Sequence, residues 1–292
     1  MVRFFFGSLH MVRLSTLVSI IRPVNCLMIG FAVIVGAALV GANFAASWLP
    51  VLYSLFTGFF LAAGSMVVND MVDKETDAVN EPSRPIPSGA ISVRQAQFFA
   101  GALAVVGFAF ALVTSWQCLI IAIFSWLMFA AYSLWGKRSG FSGNLLVSAC
   151  VVVPFVYGGF TVGKGYGDSS VIFVVIAFLS NTGREVTKGV VDIEGDKLRG
   201  IKTVAARFGA HVAAVVAVVF YISAVVLSAL PLWFRLVHIW FLPFVLITDV
   251  GLVASSVWLL RDFSRENAKR IKNLVLIWFI FRLVAFLTGV IS

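Results

Sequence analysis

The sequence predicts an all-α, polytopic membrane protein with nine transmembrane helices. Of its 292 residues, 61% are hydrophobic and only 12% are charged. Apolar runs of about 20 residues recur along the chain, which is the length that an α-helix needs to cross the hydrocarbon core of a bilayer. Helices are expected because lipid offers the backbone no hydrogen-bond partners, and the alternating pattern of a transmembrane barrel is absent.

The expected spans follow one another with short loops between them. They cover residues 17–40, 48–68, 94–114, 116–135, 145–162, 170–190, 211–230, 237–260 and 273–291. Residues 1–13 are too short an apolar patch to span and carry no cleavage site, so we expect a cytoplasmic amphipathic leader that starts at Met1 or Met11. Pro243 and Asp249 interrupt the eighth span, and we expect them to kink it.

Basic residues are distributed unequally between alternate loops. With nine spans and a cytoplasmic N-terminus, fifteen lysines and arginines fall in the N-terminal segment and in the loops on the inner side. The outer loops contain only Lys164 and Arg235. The positive-inside rule therefore predicts that the N-terminus and the loops 69–93, 136–144, 191–210 and 261–272 are cytoplasmic.

Charge and cysteine content exclude two other classes of protein. The net charge of +9 is dispersed over the loops, so we expect no nucleic-acid partner. Cys26, Cys118 and Cys150 lie within apolar runs and form no CxxC pair, so we expect neither a disulfide framework nor a thiolate metal site.

A first acidic stretch, residues 69–89, directly follows the second span. Asn69, Asp73 and Asp77 are four residues apart, so they share one face of a helix that continues out of the span. Clustered oxygen ligands of this kind suit Mg²⁺, which binds carboxylates together with waters and substrate phosphates. Three prolines then end the helix, with Arg84 among them. The alternative is a solvated acidic loop between two membrane helices.

A second acidic stretch, residues 181–203, follows the sixth span. Its polar residues recur at helical spacing, namely Asn181, Glu185, Lys188, Asp192 and Asp196. Together the two stretches hold nine of the thirteen carboxylates of the chain. Two acidic clusters at the ends of apolar spans indicate two halves of one polyanion site that is bridged by metal.

Polar residues at the ends of other spans are further candidates, because burying them in a membrane is costly. Arg22 and Asn25 open the first span, and Asn144 opens the fifth. Tyr132 and Lys137 end the fourth. Asp249 lies within the eighth span, where we expect it to pair with a neighbouring helix.

The two acidic stretches resemble the aspartate-rich motifs of the UbiA superfamily of intramembrane prenyltransferases. The first motif reads NDMVDKETDAVNEPSRPIPSG at residues 69–89, and the second reads KGVVDIEGDKLRGIKT at residues 188–203. The likeness extends over nearly the whole chain. It implies a single integral-membrane domain over residues 1–292, with nine helices around a central cavity under cytoplasmic cap loops. Gly189 departs from the pattern, since an additional aspartate often stands there.

The resemblance also implies roles for particular residues. Mg²⁺ is the expected cofactor, bridging a prenyl diphosphate to the four catalytic aspartates, Asp73, Asp77, Asp192 and Asp196. Asn69 and Asp70 are expected to complete the metal site. The residues expected to bind substrates are Arg22, Asn25, Arg84, Lys137, Asn144, Arg184, Lys188 and Lys202.

Within the superfamily, the nearest likeness is to archaeal members that make ether lipids. It implies geranylgeranyl diphosphate as donor and geranylgeranylglyceryl phosphate as acceptor, with membrane lipid around the enzyme and no obligate protein partner. Arg22, Lys137, Arg138 and Lys202 are expected to provide cations for the acceptor phosphate. The alternative acceptors are chlorophyllide and an aromatic quinone precursor. An anion transporter is a more remote alternative, because transporter sites lie near the bilayer midplane.

Overall fold

The computed structural model describes residues 12–168, 170–198 and 200–290, and the leader expected at residues 1–13 lies largely outside them, as do Met1 and Met11. The described chain is α-helical and contains no strand. A short 3₁₀ helix covers Gly136–Ser139. The α-helices are α1 (Leu14–Ile21), α2 (Pro23–Leu39), α3 (Phe44–Val72), α4 (Lys74–Asn80), α5 (Val93–Thr114), α6 (Trp116–Leu134), α7 (Phe141–Thr161), α8 (Ser170–Val191), α9 (Ile193–Leu198), α10 (Val204–Phe208), α11 (Ala210–Leu227), α12 (Leu230–Trp233), α13 (Phe241–Arg261) and α14 (Arg265–Val290).

Within the described residues, eight helical segments are long and apolar enough to cross a membrane, and α1 with α2 makes a ninth, bent span. The spans agree with those expected from the apolar runs, so the protein is a multi-pass membrane protein. The bend of 51° falls at Arg22, whose backbone is left-handed (φ 52°, ψ 69°). Pro23 then begins α2, where its fixed φ suits the first helical turn.

The kink expected in the eighth span does not occur. The span is the single helix α13, which begins at Phe241. Pro243 therefore lies in the first turn, where its missing N–H would have no intrahelical acceptor. Asp249 pairs with Arg282 of α14, as the sequence predicted, at 2.6 Å between Oδ1 and Nη2. The non-helical backbone inside a span is found instead at Ser47 in α3.

Helices α2 and α7 pack backbone to backbone at the centre of the bundle. A methyl group at Gly36 of α2 would lie 2.1 Å from the carbonyl oxygen of Phe155, and one at Gly158 of α7 would lie 2.1 Å from that of Val33. Small residues permit such close approach between membrane helices. The pair therefore forms a continuous wall through the interior of the protein.

The four loops predicted to be cytoplasmic gather at one end of the bundle. Arg265 joins three of them, because its Nε donates to the carbonyl oxygen of Val191 (3.0 Å) and its Nη2 donates to that of Asn80 (2.7 Å). Gly140, in the remaining loop, contacts the backbone of Lys202. At the opposite end, Lys164 donates to the carbonyl oxygen of Gly41. Both acidic stretches consequently lie at the same end.

Candidate active site

The first acidic motif keeps its four-residue spacing across a helix junction. Helix α3 ends at Val72 and α4 begins at Lys74, yet the backbone N–H groups of Asp73 and Asp77 still bond to the carbonyl oxygens four residues before them (2.9 and 2.8 Å). Asn69 Nδ2 donates to Asp73 Oδ2 at 3.1 Å. The three polar side chains predicted to share a face therefore do so.

The second motif has the same construction at the end of α8. The N–H of Asp192 bonds to the carbonyl oxygen of Lys188 (3.2 Å), and that of Asp196 bonds to Asp192 (2.9 Å). The Thr203 hydroxyl donates to Asp196 Oδ2 at 3.1 Å and also accepts the N–H of Ala206, capping α10. The loop after the motif thereby fixes the orientation of its last aspartate.

The two motifs line one cavity of about 660 Å³, called the acidic cavity below. Five carboxylates and three cations line it, together with the polar side chains of neighbouring helices. Its polar lining consists of Arg22, Asn69, Asp73, Thr76, Asp77, Arg84, Tyr132, Asn144, Glu185, Lys188, Asp192, Asp196 and Thr203. All four aspartates expected to be catalytic are among them.

Two arginines connect the first motif to the start of the chain. Arg84 Nη1 donates to Asp77 Oδ2 at 2.5 Å and lies 3.8 Å from Asp70 Oδ1. Arg22, at the bend between α1 and α2, donates to the same Asp70 oxygen. Asp70 is buried and does not line the acidic cavity, so its placement fits an anchor for the arginines better than the metal ligand we expected.

Burial shifts the pKa values of several charged groups in the acidic cavity. It raises the pKa of Asp77, and the positive charge of the neighbouring Arg84 only partly offsets this rise. It also raises the pKa of Asp196 to about 6, with a further contribution from Asp192. The Arg84 guanidinium is itself disfavoured by burial, but Asp77 and Asp70 outweigh that cost and raise its pKa. Buried carboxylates close to one another gain most from a bound cation.

The donor set of the acidic cavity fits Mg²⁺. Its ligands are hard oxygens from carboxylates and from the Asn69 amide. Among the described residues, no three His, Cys, Asp or Glu side chains converge closely enough to hold an ion by themselves. Mg²⁺ commonly binds through one or two carboxylates plus waters and substrate phosphates, so this spacing suits an ion held jointly by protein and diphosphate.

A second, larger cavity of about 1360 Å³ adjoins the first and is called the cationic cavity below. Six residues line both cavities, namely Arg22, Asn69, Arg84, Tyr132, Glu185 and Lys188. The polar residues that line the cationic cavity but not the acidic one are Asn25, Asn181, Arg184, Lys272 and Asn273. Five basic side chains line it, and Glu185 is the one carboxylate that the described residues contribute.

Most of the residues expected to bind substrates line one of these cavities. They are Arg22, Asn25, Arg84, Asn144, Arg184 and Lys188. Lys202 does not, since its side chain is exposed at the surface and only its backbone packs against Gly140. Arg138 is exposed as well. The Lys137 side chain lies outside the part of the chain that the structure describes.

Three residues in or beside the site had no predicted role. Glu185 shares the helical spacing of the second motif, and that signal was available in the sequence. The sequence predicted Lys272 and Arg265 only to be basic residues of a cytoplasmic loop, but both belong to α14. Their contacts connect segments far apart in the chain, which spacing within one segment does not reveal.

The close contact between the motifs depends on Gly195, and we expect Gly195→Ala to impair folding. A methyl group there would lie 2.4 Å from Asn80 Nδ2 and 2.7 Å from Thr76 Cγ2. Gly189 is the matched control, because its nearest neighbours would be 3.8 Å away. Gly195→Ala should lower the thermal stability and the turnover of the purified protein, whereas Gly189→Ala should leave thermal stability close to wild type. Equal stability of the two variants would contradict this packing.

The bundle and the paired aspartate motifs define an intramembrane prenyltransferase, and the chain belongs to the UbiA prenyltransferase family, which matches residues 29–281. It is 31% identical over 280 residues to the digeranylgeranylglyceryl phosphate synthase of Archaeoglobus fulgidus, covering 94% of this chain and 95% of that protein. The synthase of the same name from Korarchaeum cryptofilum is 35% identical, with 89% and 93% covered.

Solved structures agree with this membership. One that concerns digeranylgeranylglyceryl phosphate synthase in membranes has 31% identity and a TM-score of 0.69, covering 95% of this chain and 98% of the other. The fold is also shared with the apo structure of a UbiA homolog from Aeropyrum pernix K1, at 18% identity and a TM-score of 0.77, with 89% and 96% covered. The family membership that the motifs predicted is confirmed, and it excludes the transporter alternative.

Proposed function

We propose that the protein transfers a geranylgeranyl group from geranylgeranyl diphosphate to the free hydroxyl of geranylgeranylglyceryl phosphate, with Mg²⁺ as cofactor. The observation that carries this proposal is the meeting of both aspartate motifs in one acidic cavity that adjoins a cationic one. The relatives named digeranylgeranylglyceryl phosphate synthase support the choice of substrates. A UbiA homolog of Archaeoglobus fulgidus bound to GPP and Mg²⁺, similar in fold, supports the choice of metal.

The acidic cavity would hold the diphosphate of the donor. Asp73, Asp77, Asp192 and Asp196 would hold Mg²⁺, with Asn69 beside them. When bound, the metal neutralises the charge that develops on the leaving group and acts as a Lewis acid. Arg84 as a planar fork, and Lys188 as a point charge, would donate to the diphosphate oxygens.

The reaction breaks the bond between C1 of the donor and its diphosphate and forms an ether bond from C1 to the acceptor oxygen. The allylic cation that develops at C1 would lie near aromatic rings, because Phe129 and Tyr132 line the cavities with ring centroids 6.0 Å apart. Such ring faces stabilise cations. The acceptor hydroxyl loses its proton, and Glu185, the carboxylate common to both cavities, is the base that we assign.

The single domain over residues 1–292, with its N-terminus and cap loops in the cytoplasm, is part of the proposal. The asymmetry of basic residues supports this orientation. Ser83 and Tyr166 are both exposed in loops that the nine-span topology places on opposite sides. Cysteines at these two positions should react with an impermeant reagent from opposite sides of the membrane. Reaction from the same side would contradict the topology.

The acceptor is tested by competition. Purified protein receives geranylgeranyl diphosphate and Mg²⁺ together with geranylgeranylglyceryl phosphate, its dephosphorylated alcohol, 4-hydroxybenzoate and chlorophyllide. We expect efficient prenylation of the phosphate alone. Equal use of the alcohol would remove phosphate recognition from the proposal, and preference for chlorophyllide or 4-hydroxybenzoate would replace the acceptor.

A further inference from the structure

The two adjoining cavities differ in the sign of their charge. The acidic cavity has five carboxylates against three cations, and the cationic cavity has five cations against one carboxylate. Arg22 and Arg84, which the cavities share, already bond to Asp70 and Asp77. The net positive charge of the cationic cavity therefore comes from Arg184, Lys188 and Lys272, which share Glu185 as the carboxylate of that cavity.

These three cations are held together by α8 and α14. Arg184 Nη1 and Lys188 Nζ lie 3.3 and 3.4 Å from the two oxygens of Glu185. Arg184 Nε donates to the carbonyl oxygen of Lys272 at 3.2 Å, which fixes the start of α14 against the end of α8. The result is a preorganised group of donors that a phosphate would accept from. A bound phosphate would also reduce the mutual repulsion of the three cations.

Two apolar cavities extend away from the cationic cavity, on either side of the wall formed by α2 and α7. One, of about 780 Å³, continues along α3 and α6, and the other, of about 480 Å³, continues along α8 and α14. Ile29 of α2 and Val151 of α7 line both of them as well as the cationic cavity. The interior thus divides at these two residues into two branches.

Both branches open into the cationic cavity, and helix geometry shows which motif each of them approaches. Met66 lines the larger branch as well as the cationic cavity, and it lies three residues before Asn69 of the first motif on the same helix. Phe279 lines the smaller branch and lies seven residues, or about 10 Å, beyond Lys272 on one face of α14. Asn181, three residues before Arg184 on α8, lines the smaller branch too.

From this arrangement we infer that Arg184 and Lys272 bind the phosphate of the acceptor lipid, and that the branch between α2, α7, α8 and α14 holds its isoprenoid chain. The donor diphosphate then occupies the acidic cavity and its chain occupies the larger branch along α3 and α6. The two lipids approach each other at Tyr132, Glu185 and Lys188, which line both charged cavities. This inference rests on the proposed function, since it places the two substrates of that reaction.

Lys272→Gln tests the phosphate site. The variant removes a charge-assisted contact, so the KM for geranylgeranylglyceryl phosphate should rise about 10- to 100-fold while the KM for the donor stays unchanged. For the dephosphorylated alcohol, wild type and variant should have equal KM values. Arg270→Gln is the matched control, because Arg270 is an exposed residue of the same helix outside the cavity; it should behave as wild type.

Ala177→Phe and Ser125→Phe test the two branches. Ala177 lines the smaller branch and Ser125 the larger one, and both are only half-buried. Each phenylalanine should obstruct a single chain. Ala177→Phe should favour a C10 over a C20 acceptor and leave the chain-length preference for the donor unchanged. Ser125→Phe should favour a C10 over a C20 donor and leave the chain-length preference for the acceptor unchanged. Thermal melting in detergent identifies any variant that is unfolded.

The outcomes separate this inference from the proposed function. If wild type requires the acceptor phosphate but Lys272→Gln alters the donor KM alone, or neither KM, the inference is wrong and the proposed function stands. If Ala177→Phe instead changed the chain-length preference for the donor, and Ser125→Phe that for the acceptor, the assignment of the branches would be wrong and the proposed function would stand. If wild type uses the alcohol as well as the phosphate, the proposed acceptor itself is wrong.

Discussion

Replacing any one of Asp73, Asp77, Asp192 or Asp196 with asparagine is expected to lower kcat by about 10²–10³, which is typical for the loss of one preorganised electrostatic group. Each substitution removes a negative charge from the acidic cavity but keeps the size of the side chain. The purified variants should remain folded, because asparagine keeps an oxygen that can accept the hydrogen bonds that Arg84 and Thr203 donate to this group of aspartates. The measurement is turnover at saturating donor and acceptor with Mg²⁺ titrated.

Glu194→Gln provides the control for these substitutions. Glu194 belongs to the second motif and carries the same charge, but its side chain is exposed and does not line the acidic cavity. Its turnover should stay within about twofold of wild type, because an exposed charge away from a site contributes little. A loss at Glu194 as large as that at Asp192 would mean that the general charge of the cap, and not the cavity, governs the reaction.

Asp249→Leu is expected to produce the largest loss of stability, about 3–5 kcal/mol in the free energy of unfolding. Asp249 Oδ1 lies 2.6 Å from Arg282 Nη2, and the Ser228 hydroxyl donates to Asp249 Oδ2 at 2.5 Å. The Arg282 side chain is only 3% exposed. Removing the carboxylate leaves that guanidinium buried without its counter-charge, and the guanidinium also donates to Ser180 of α8.

The double variant Asp249→Leu, Arg282→Met should recover most of this stability, because replacing both members of a buried ion pair with apolar residues is often neutral or stabilising. Thermal and denaturant melting of the purified protein measure both variants. A double variant as unstable as Asp249→Leu alone would show that packing around position 249, rather than the unpaired charge, determines stability.

The sequence predicted the spans and the motif faces because the information for both is local. An apolar run of about 20 residues has few alternatives to a membrane helix. The four-residue spacing of Asn69, Asp73 and Asp77 places them on one face whether or not the helix is continuous. The structure breaks the helix at Asp73, but the backbone hydrogen bonds continue through the junction, so the prediction survives the break.

The remaining features depend on which helices pack together. Asp70 has the residue type of a metal ligand, but the bend at Arg22 brings an arginine to it from another span. Lys202 lies beside the second motif in sequence, yet its side chain is exposed, while Lys272 reaches the cationic cavity from α14. The kink expected at Pro243 does not form, because the span was expected to begin at residue 237 whereas α13 begins at Phe241. Pro243 therefore lies in the first turn of the helix, where a proline is tolerated.

The most direct measurement is the release of diphosphate and the formation of ether product by the purified protein from geranylgeranyl diphosphate and geranylgeranylglyceryl phosphate. With Mg²⁺ present, the two products should appear in equal amounts, and chelation of the metal should abolish both. Readdition of Mg²⁺ should restore them in wild type but not in Asp73→Asn or Asp192→Asn. Ether formation at close to the wild-type rate in both variants would contradict a single site assembled from the two motifs.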